Sequence, residues 1–152
     1  MRRITVVRKE GVYCCFPDLA RTENGGLVCV YRQSDSHVAR DFSHIALIFS
    51  RDGGETWGEE KVLVRSFGDG DILFKWNCPR VGTLSDGRLW ILCDGYPQPP
   101  GEADHGRSRV FIWWSEDGES WDGPHETPVV GIVPDKLVEL PSGTWLLATH
   151  LR

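Results

Sequence analysis

Carboxyl, guanidinium and imidazole groups recur at equivalent points of a repeating pattern. Asp18, Arg80 and Asp135 each follow a proline directly, and Arg32, Asp94 and His150 each close an apolar run further on. Between them, Gln33 to Ser43 (QSDSHVARDFS) holds Asp35, His37, Arg40 and Asp41, with His44 just beyond. A carboxylic acid near a reacting bond can donate and retrieve a proton, and a histidine can hydrogen-bond or relay one. An arginine holds an anionic group through charge-assisted, often bidentate bonds. Asp41 is therefore the first candidate for an acid/base, with Asp135, His37 and His150 as further catalytic candidates. Arg32, Arg80 and Asp18 are candidates for binding substrate. The plain alternative is that strand ends are commonly polar and merely solvated. A second long segment, Gly95 to Ser108, adds Tyr96, Asp104, His105 and Arg107.

The elements that must position these groups are short strands. Pro17-Asp18-Leu19 leads to Gly26 and then Leu27-Val28-Cys29-Val30-Tyr31; Pro79-Arg80-Val81 leads to Gly87 and then Leu89-Trp90-Ile91-Leu92-Cys93. Pro134-Asp135-Lys136-Leu137 leads to Gly143 and then Trp145-Leu146-Leu147-Ala148-Thr149. Each reads as a hairpin with an Asn-Gly, Asp-Gly or Ser-Gly turn. After the first two come an apolar strand, an Asp-containing turn and a fourth strand such as Lys61-Val62-Leu63-Val64. No segment has helical periodicity. The chain is expected to be all-β, built of repeated four-stranded antiparallel units, the signature of β-propeller blades. The units span roughly 12–66 and 77–130, with the hairpin of a third at 131–152. Propellers close with about four to eight blades. The expectation is thus a piece of a longer propeller, with a ring of several copies or an open wedge as alternatives.

The Asp-containing turn is Ser50-Arg51-Asp52-Gly53-Gly54-Glu55-Thr56-Trp57, and it returns one residue shorter as Ser115-Glu116-Asp117-Gly118-Glu119-Ser120-Trp121. A calcium loop needs about six to eight oxygen ligands, and one aspartate per turn falls short. An Asp carboxylate can instead accept hydrogen bonds from its own turn, glycine tolerates positive φ, and the Trp ring buries apolar area beneath. Both turns are read as fasteners with no chemistry of their own.

Ser50, Asp52, Gly54, Thr56 and Trp57, with the variant Ser115, Asp117, Gly118 and Trp121, resemble the Asp box (BNR repeat) of the sialidase superfamily. The resemblance implies a six-bladed propeller of which about two and a half blades are present. It also implies that the boxes join the third and fourth strands of each blade, and that the active site lies on the opposite face. A sialidase-type site implies an arginine cluster, an acid/base aspartate after the second strand of the first blade, and a Tyr nucleophile paired with Glu, a departure from the usual two-carboxylate scheme. In that frame Asp41 or Asp35 takes the acid/base place and Arg32 an arginine place. Cys15-Phe16-Pro17 lacks the arginine of the family motif, Asp135 stands where a Glu is expected and His150 where an Arg is. The implied function is a divergent exo-glycosidase acting on a glycan or acidic sugar; the alternative is a non-catalytic carbohydrate-binding or scaffold propeller.

Composition narrows the rest. A net charge of -5 gives no electrostatic case for nucleic acid or an anionic membrane surface. Cys14, Cys15, Cys29, Cys78 and Cys93 lack CxxC spacing and read as free thiols. The histidines lack zinc spacing, and no Gly-x-Ser-x-Gly or phosphate-cradling loop occurs. No metal or cofactor is expected; the expected partners are carbohydrate and further blades or copies. The apolar segment after Arg3 ends at Arg8, too short for a signal-peptide core. The chain as written is expected in the cytoplasm, unless an export signal lies outside it.

Overall fold

Alternate residues of the central strands face opposite layers, and both faces are apolar, so the runs are continuous rather than alternating. The computed structural model describes residues 3–69, 72–98 and 107–151. Gly70, Asp71, Asp104 and His105 lie outside the described residues. Among the described residues the chain is all-β, in antiparallel sheets, none of which closes into a barrel.

In the first sheet, β1 (Tyr13–Arg21), β2 (Leu27–Ser34), β3 (Ser43–Ser50) and β4 (Lys61–Val64) lie side by side in chain order. A hairpin follows, β5 (Phe67–Asp69) and β6 (Ile72–Trp76). Then β7 (Arg80–Thr83), β8 (Leu89–Gln98), β9 (Arg109–Ser115) and β10 (Asp122–Val130) repeat the meander. The third unit holds β11 (Val138–Glu139) paired with β12 (Trp145–Leu146), extended by a bridge between Ile132 and His150. This ladder is shorter than the sequence pattern suggests.

The β5–β6 hairpin is the main surprise, because it lies between the two units of roughly 12–66 and 77–130 and belongs to neither pattern. It exists because β8 runs on past Cys93 to Gln98. β8 pairs with β7 through Leu89 to Leu92, and on the same edge with β6 through Gly95 to Gln98. Phe74 seals the corner, stacked 4.9 Å from Phe67 and edge-on to Trp76 and Phe111.

Three apolar layers follow from strand alternation. Val28, Val30, Ile45 and Leu47 of the first sheet pack with Val81, Leu89, Ile91, Cys93 and Trp113 of the second. The second sheet's other face, Trp90, Leu92, Val110 and Ile112, meets Leu137 and Leu147 of the third unit. The first sheet's outer face, Cys29, Tyr31, Ala46 and Ile48, is covered by Val6 and Val7 of the N-terminal segment and by Trp57.

Candidate functional site

The antiparallel meander sends successive connections to opposite ends of each sheet, which separates two kinds of acidic residue. At one end lie the Asp-containing turns. Ser50 Oγ donates to Asp52 at 2.9 Å and accepts the Gly54 N–H at 2.8 Å. Asp52 also accepts the Thr56 N–H at 2.9 Å and the Thr56 hydroxyl at 2.5 Å. The shorter turn repeats the device: Gly118 N–H to Ser115 Oγ at 2.8 Å, and the Glu119 and Ser120 N–H groups to Asp117, both at 2.7 Å. Gly118 has φ 78°, and a Cβ there would come within 2.9 Å of Val28. Hydrogen bonds, Thr56 foremost, hold the Asp52 carboxyl down to about 2. These aspartates spend their acceptor capacity on their own turns.

At the other end Arg80, Asp135 and His150 come together. They line one cleft of about 270 Å³ with Val133, Pro134, Ala148 and Thr149. The Ile132–His150 bridge and the Asp135 N–H bond to the Ala148 carbonyl, 2.9 Å, close its far wall. Asp135 and His150 are exposed and Arg80 half-buried, bonded at one nitrogen to the Pro79 carbonyl at 3.0 Å. A guanidinium, a carboxylate and an imidazole thus face one small volume.

Arg32 is placed differently. It is buried, with Nε on Cys15 Sγ at 3.3 Å, Nη1 on Asn77 Oδ1 at 2.7 Å and Nη2 on the His37 carbonyl at 2.6 Å. Its guanidinium lies 4.8 Å from the Phe16 ring centroid, where β1 bulges and Phe16 takes φ 52°. Asn77 passes the connection on, donating to Asp94 at 3.1 Å. Asp94 is fully buried and also accepts the Cys78 N–H at 3.0 Å and a backbone bond from Val133. Burial raises the Asp94 carboxyl above its ordinary range, against the pull of these bonds. Arg32, Asn77 and Asp94 form one buried polar chain from the first sheet to Val133 in the cleft wall.

His37 and Asp41 sit on the β2–β3 loop directly above Arg32, and both are exposed. His37 meets Tyr13 and Phe16 edge-on at 6.1 and 5.6 Å. The loop is shaped by Asp35, which accepts the Asp41 N–H at 3.1 Å and the Ser36 hydroxyl at 2.9 Å. Desolvation opposes ionisation of Asp35, yet bonds from Asp41, Arg40 and Ser36 lower its carboxyl to about 2. Beneath the loop, Lys75 is buried and donates to the Arg40 carbonyl at 3.2 Å. Desolvation lowers its ammonium, while Asp35 and Asp41 act the other way.

Asp18 is a stitch between units. It accepts the Val81 N–H at 3.0 Å and pairs with Lys136 at 3.1 Å, and Lys136 also reaches the Leu19 and Val81 carbonyls. Of the residues picked from sequence, Arg80, Asp135 and His150 share the cleft, His37 and Asp41 share the loop, Arg32 is buried, and Asp18 is half-buried between units. Lys75, Asn77 and Lys136 escape the sequence pattern. The one available signal is a lysine inside the apolar run Ile72-Leu73-Phe74-Lys75-Trp76.

The fold defines a class: an all-β stack of antiparallel sheets, the first four-stranded, packed face to face. No family model matches the chain, and no curated protein matches it. Among solved structures it is similar to a crystal structure of a protein of unknown function from Dyadobacter fermentans DSM 18053, with TM-score 0.62 and 21% identity. The match covers 92% of this chain and 47% of that one, so the chain spans about half the length of its structural neighbour. At that identity the likeness speaks for the fold alone.

Proposed function

We propose that the chain is part of a sialidase-like six-bladed propeller, and that the protein is an exo-acting glycoside hydrolase on a glycan or acidic sugar. The observation that carries this reading is the cleft in which Arg80, Asp135 and His150 meet, at the end away from both Asp turns. Its volume lies below the range of about 300–1,000 Å³ common for drug-sized ligands, which suits a single sugar ring. Arg80 holds an anionic substituent, Asp41 on the β2–β3 loop is the acid/base, and His37 and His150 supply hydrogen bonds or relay a proton. Arg32 supports the site from inside through the His37 carbonyl, Asn77 and Asp94.

A second reading is a non-catalytic carbohydrate-binding propeller. One observation favours it: each guanidinium nitrogen of Arg32 is bonded within the protein. A panel of chromogenic glycosides, acidic sugars included, separates the two. Hydrolysis that falls about 100-fold in Asp41→Asn, with an unchanged unfolding midpoint, supports the enzyme. Saturable glycan binding that Arg80→Ala abolishes, without turnover by any variant, supports the binding module. Neither turnover nor binding discards both.

A further inference from the structure

The walls of the cleft come from two units, and each is fixed two residues ahead of the side chain that faces the cleft. Arg80 follows Cys78 and Pro79, and Asp135 follows Val133 and Pro134. The Cys78 N–H donates to Asp94 Oδ1 at 3.0 Å, and the Val133 N–H bonds the same carboxylate. Asn77, next to Cys78, donates to Asp94 Oδ2 at 3.1 Å. Asp94 itself is fully buried on β8, behind the walls. One carboxylate thus collects donors from both sides of the cleft.

Val133 is under strain. It takes φ 52°, in the left-handed region, where a β-branched residue is a genuine outlier. Pro134 follows it, and the residue before a proline is pushed towards extended conformations. Such a conformation persists only where the surroundings over-determine it. Here they are the Asp94 carboxylate on the Val133 N–H, the Ile132–His150 bridge just before, and the Asp135 N–H bond to the Ala148 carbonyl, 2.9 Å, just after. Phe16 stands at the same place before Pro17 and also takes φ 52°, with the Arg32 guanidinium 4.8 Å from its ring centroid. In each case a buried charged side chain from a second strand reaches the kinked residue, Arg32 from β2 and Asp94 from β8.

We propose that Asp94 is the positioning residue of the cleft: bonded two residues ahead of Arg80 and two ahead of Asp135, it sets the separation of that guanidinium from that carboxylate. The proposal rests on the reading of the cleft as a site for an acidic sugar. Asp94 touches no ligand and acts through the backbone. A sugar that offers its anionic group to Arg80 and a hydroxyl to Asp135 binds according to their separation. An ionised aspartate presents two acceptor oxygens, whereas an asparagine presents one oxygen and an amide N–H₂ that faces donors. With asparagine at 94, one of the donors from Asn77, Cys78 and Val133 loses its acceptor. Val133, the strained one, is the first to relax.

Crystal structures and calorimetric titration with glucuronate, an acidic sugar, test it on the unaltered protein, Asp94→Asn and Asp94→Asn/Val133→Gly. In Asp94→Asn, Val133 is expected to leave positive φ and the Arg80–Asp135 separation to change. Glucuronate affinity then falls about tenfold, the scale of one hydrogen bond. Glycine takes positive φ readily, so the double variant keeps the wall in place and recovers affinity to within about threefold. A carboxylate that served stability alone would give no such rescue. An unchanged φ and separation in Asp94→Asn overturn the proposal, and so does a double variant no better than the single one. Hydrogen exchange of the unaltered protein decides without any variant: the Cys78 and Val133 amides are expected to be protected, and a Val133 amide that exchanges like an unbonded one overturns the role. If the unaltered protein binds no glucuronate, the acidic-sugar reading falls, while φ, separation and exchange still decide what Asp94 holds.

Discussion

The two ends of the sheets use acidic side chains in opposite ways. At the turn end, Asp52 and Asp117 are bound to the backbone of the residues that follow them, and their carboxyls are held below the ordinary range. At the cleft end Asp94 is buried, bonded to two other segments, and its carboxyl is pushed up. A locally satisfied carboxylate fastens a turn and is spent. A carboxylate satisfied by distant segments fixes how sheets meet, while Asp41, Asp135 and His150 at the same end stay exposed.

The largest effect expected from breaking this contrast is at Arg32. Arg32→Ala strips Asn77 and the His37 carbonyl of a charged partner and opens a buried void. It should cost about 3 kcal/mol or more, as loss of one member of a buried charged network does. Denaturant unfolding reads the stability. A change below about 1 kcal/mol would mean the polar chain is not what joins the sheets.

Next comes the turn end. Asp117→Ala frees the Glu119 and Ser120 N–H groups and the Ser115 hydroxyl, at about 1–2 kcal/mol, comparable to losing a helix cap. The acid dependence sharpens the contrast further. Asp35 and Asp52 have folded values of about 2, below the ordinary 3.8. Their contribution is present above the ordinary value and lost as pH falls towards about 2. Asp94 is raised, so its contribution is complete below the ordinary carboxyl value and fades as pH rises through its folded one. Comparing unfolding midpoints at neutral pH and near pH 3, Asp117→Ala should lose less stability on acidification than the unaltered chain. Asp94→Asn should lose more, because an opposing contribution is gone. Shifts of the same sign in both variants would erase the distinction between the ends.

What could be read from the residues divides along the same line. The Asp turns were legible because every bond in them joins residues no more than four apart, so spacing alone dictates the geometry. The hairpins were legible for the same reason, through their glycine turns. The cleft end was legible only as a set of charged strand ends. Nothing in the pattern distinguishes Arg32, which is buried, from Arg80, which lines the cleft. What turns Arg32 inward is Asn77, 45 residues away, delivered by the β5–β6 hairpin that Lys75 disguises as a loop. That hairpin depends on the length of β8, a property of the assembled sheet. Long-range pairing decided what local pattern left open.

The smallest effect concerns how the two Asp turns meet. Arg51 and Glu119 join them by an ion pair of 2.5 Å, but the Arg51 side chain is 73% exposed. Exposed pairs contribute about 0–1 kcal/mol, and salt screens them. The contact that holds the shorter turn to the first sheet is Gly118, seated with no room for a Cβ against Val28 and Phe49. A double-mutant cycle with Arg51→Ala and Glu119→Ala should therefore return about 0.5 kcal/mol or less, vanishing in molar salt. Gly118→Ala should cost several times that, through both its positive φ and the clash. If the ion pair instead coupled the turns more strongly than Gly118 seats them, the turn end too would be fastened between sheets by charge, and the contrast with the cleft end would rest on burial alone.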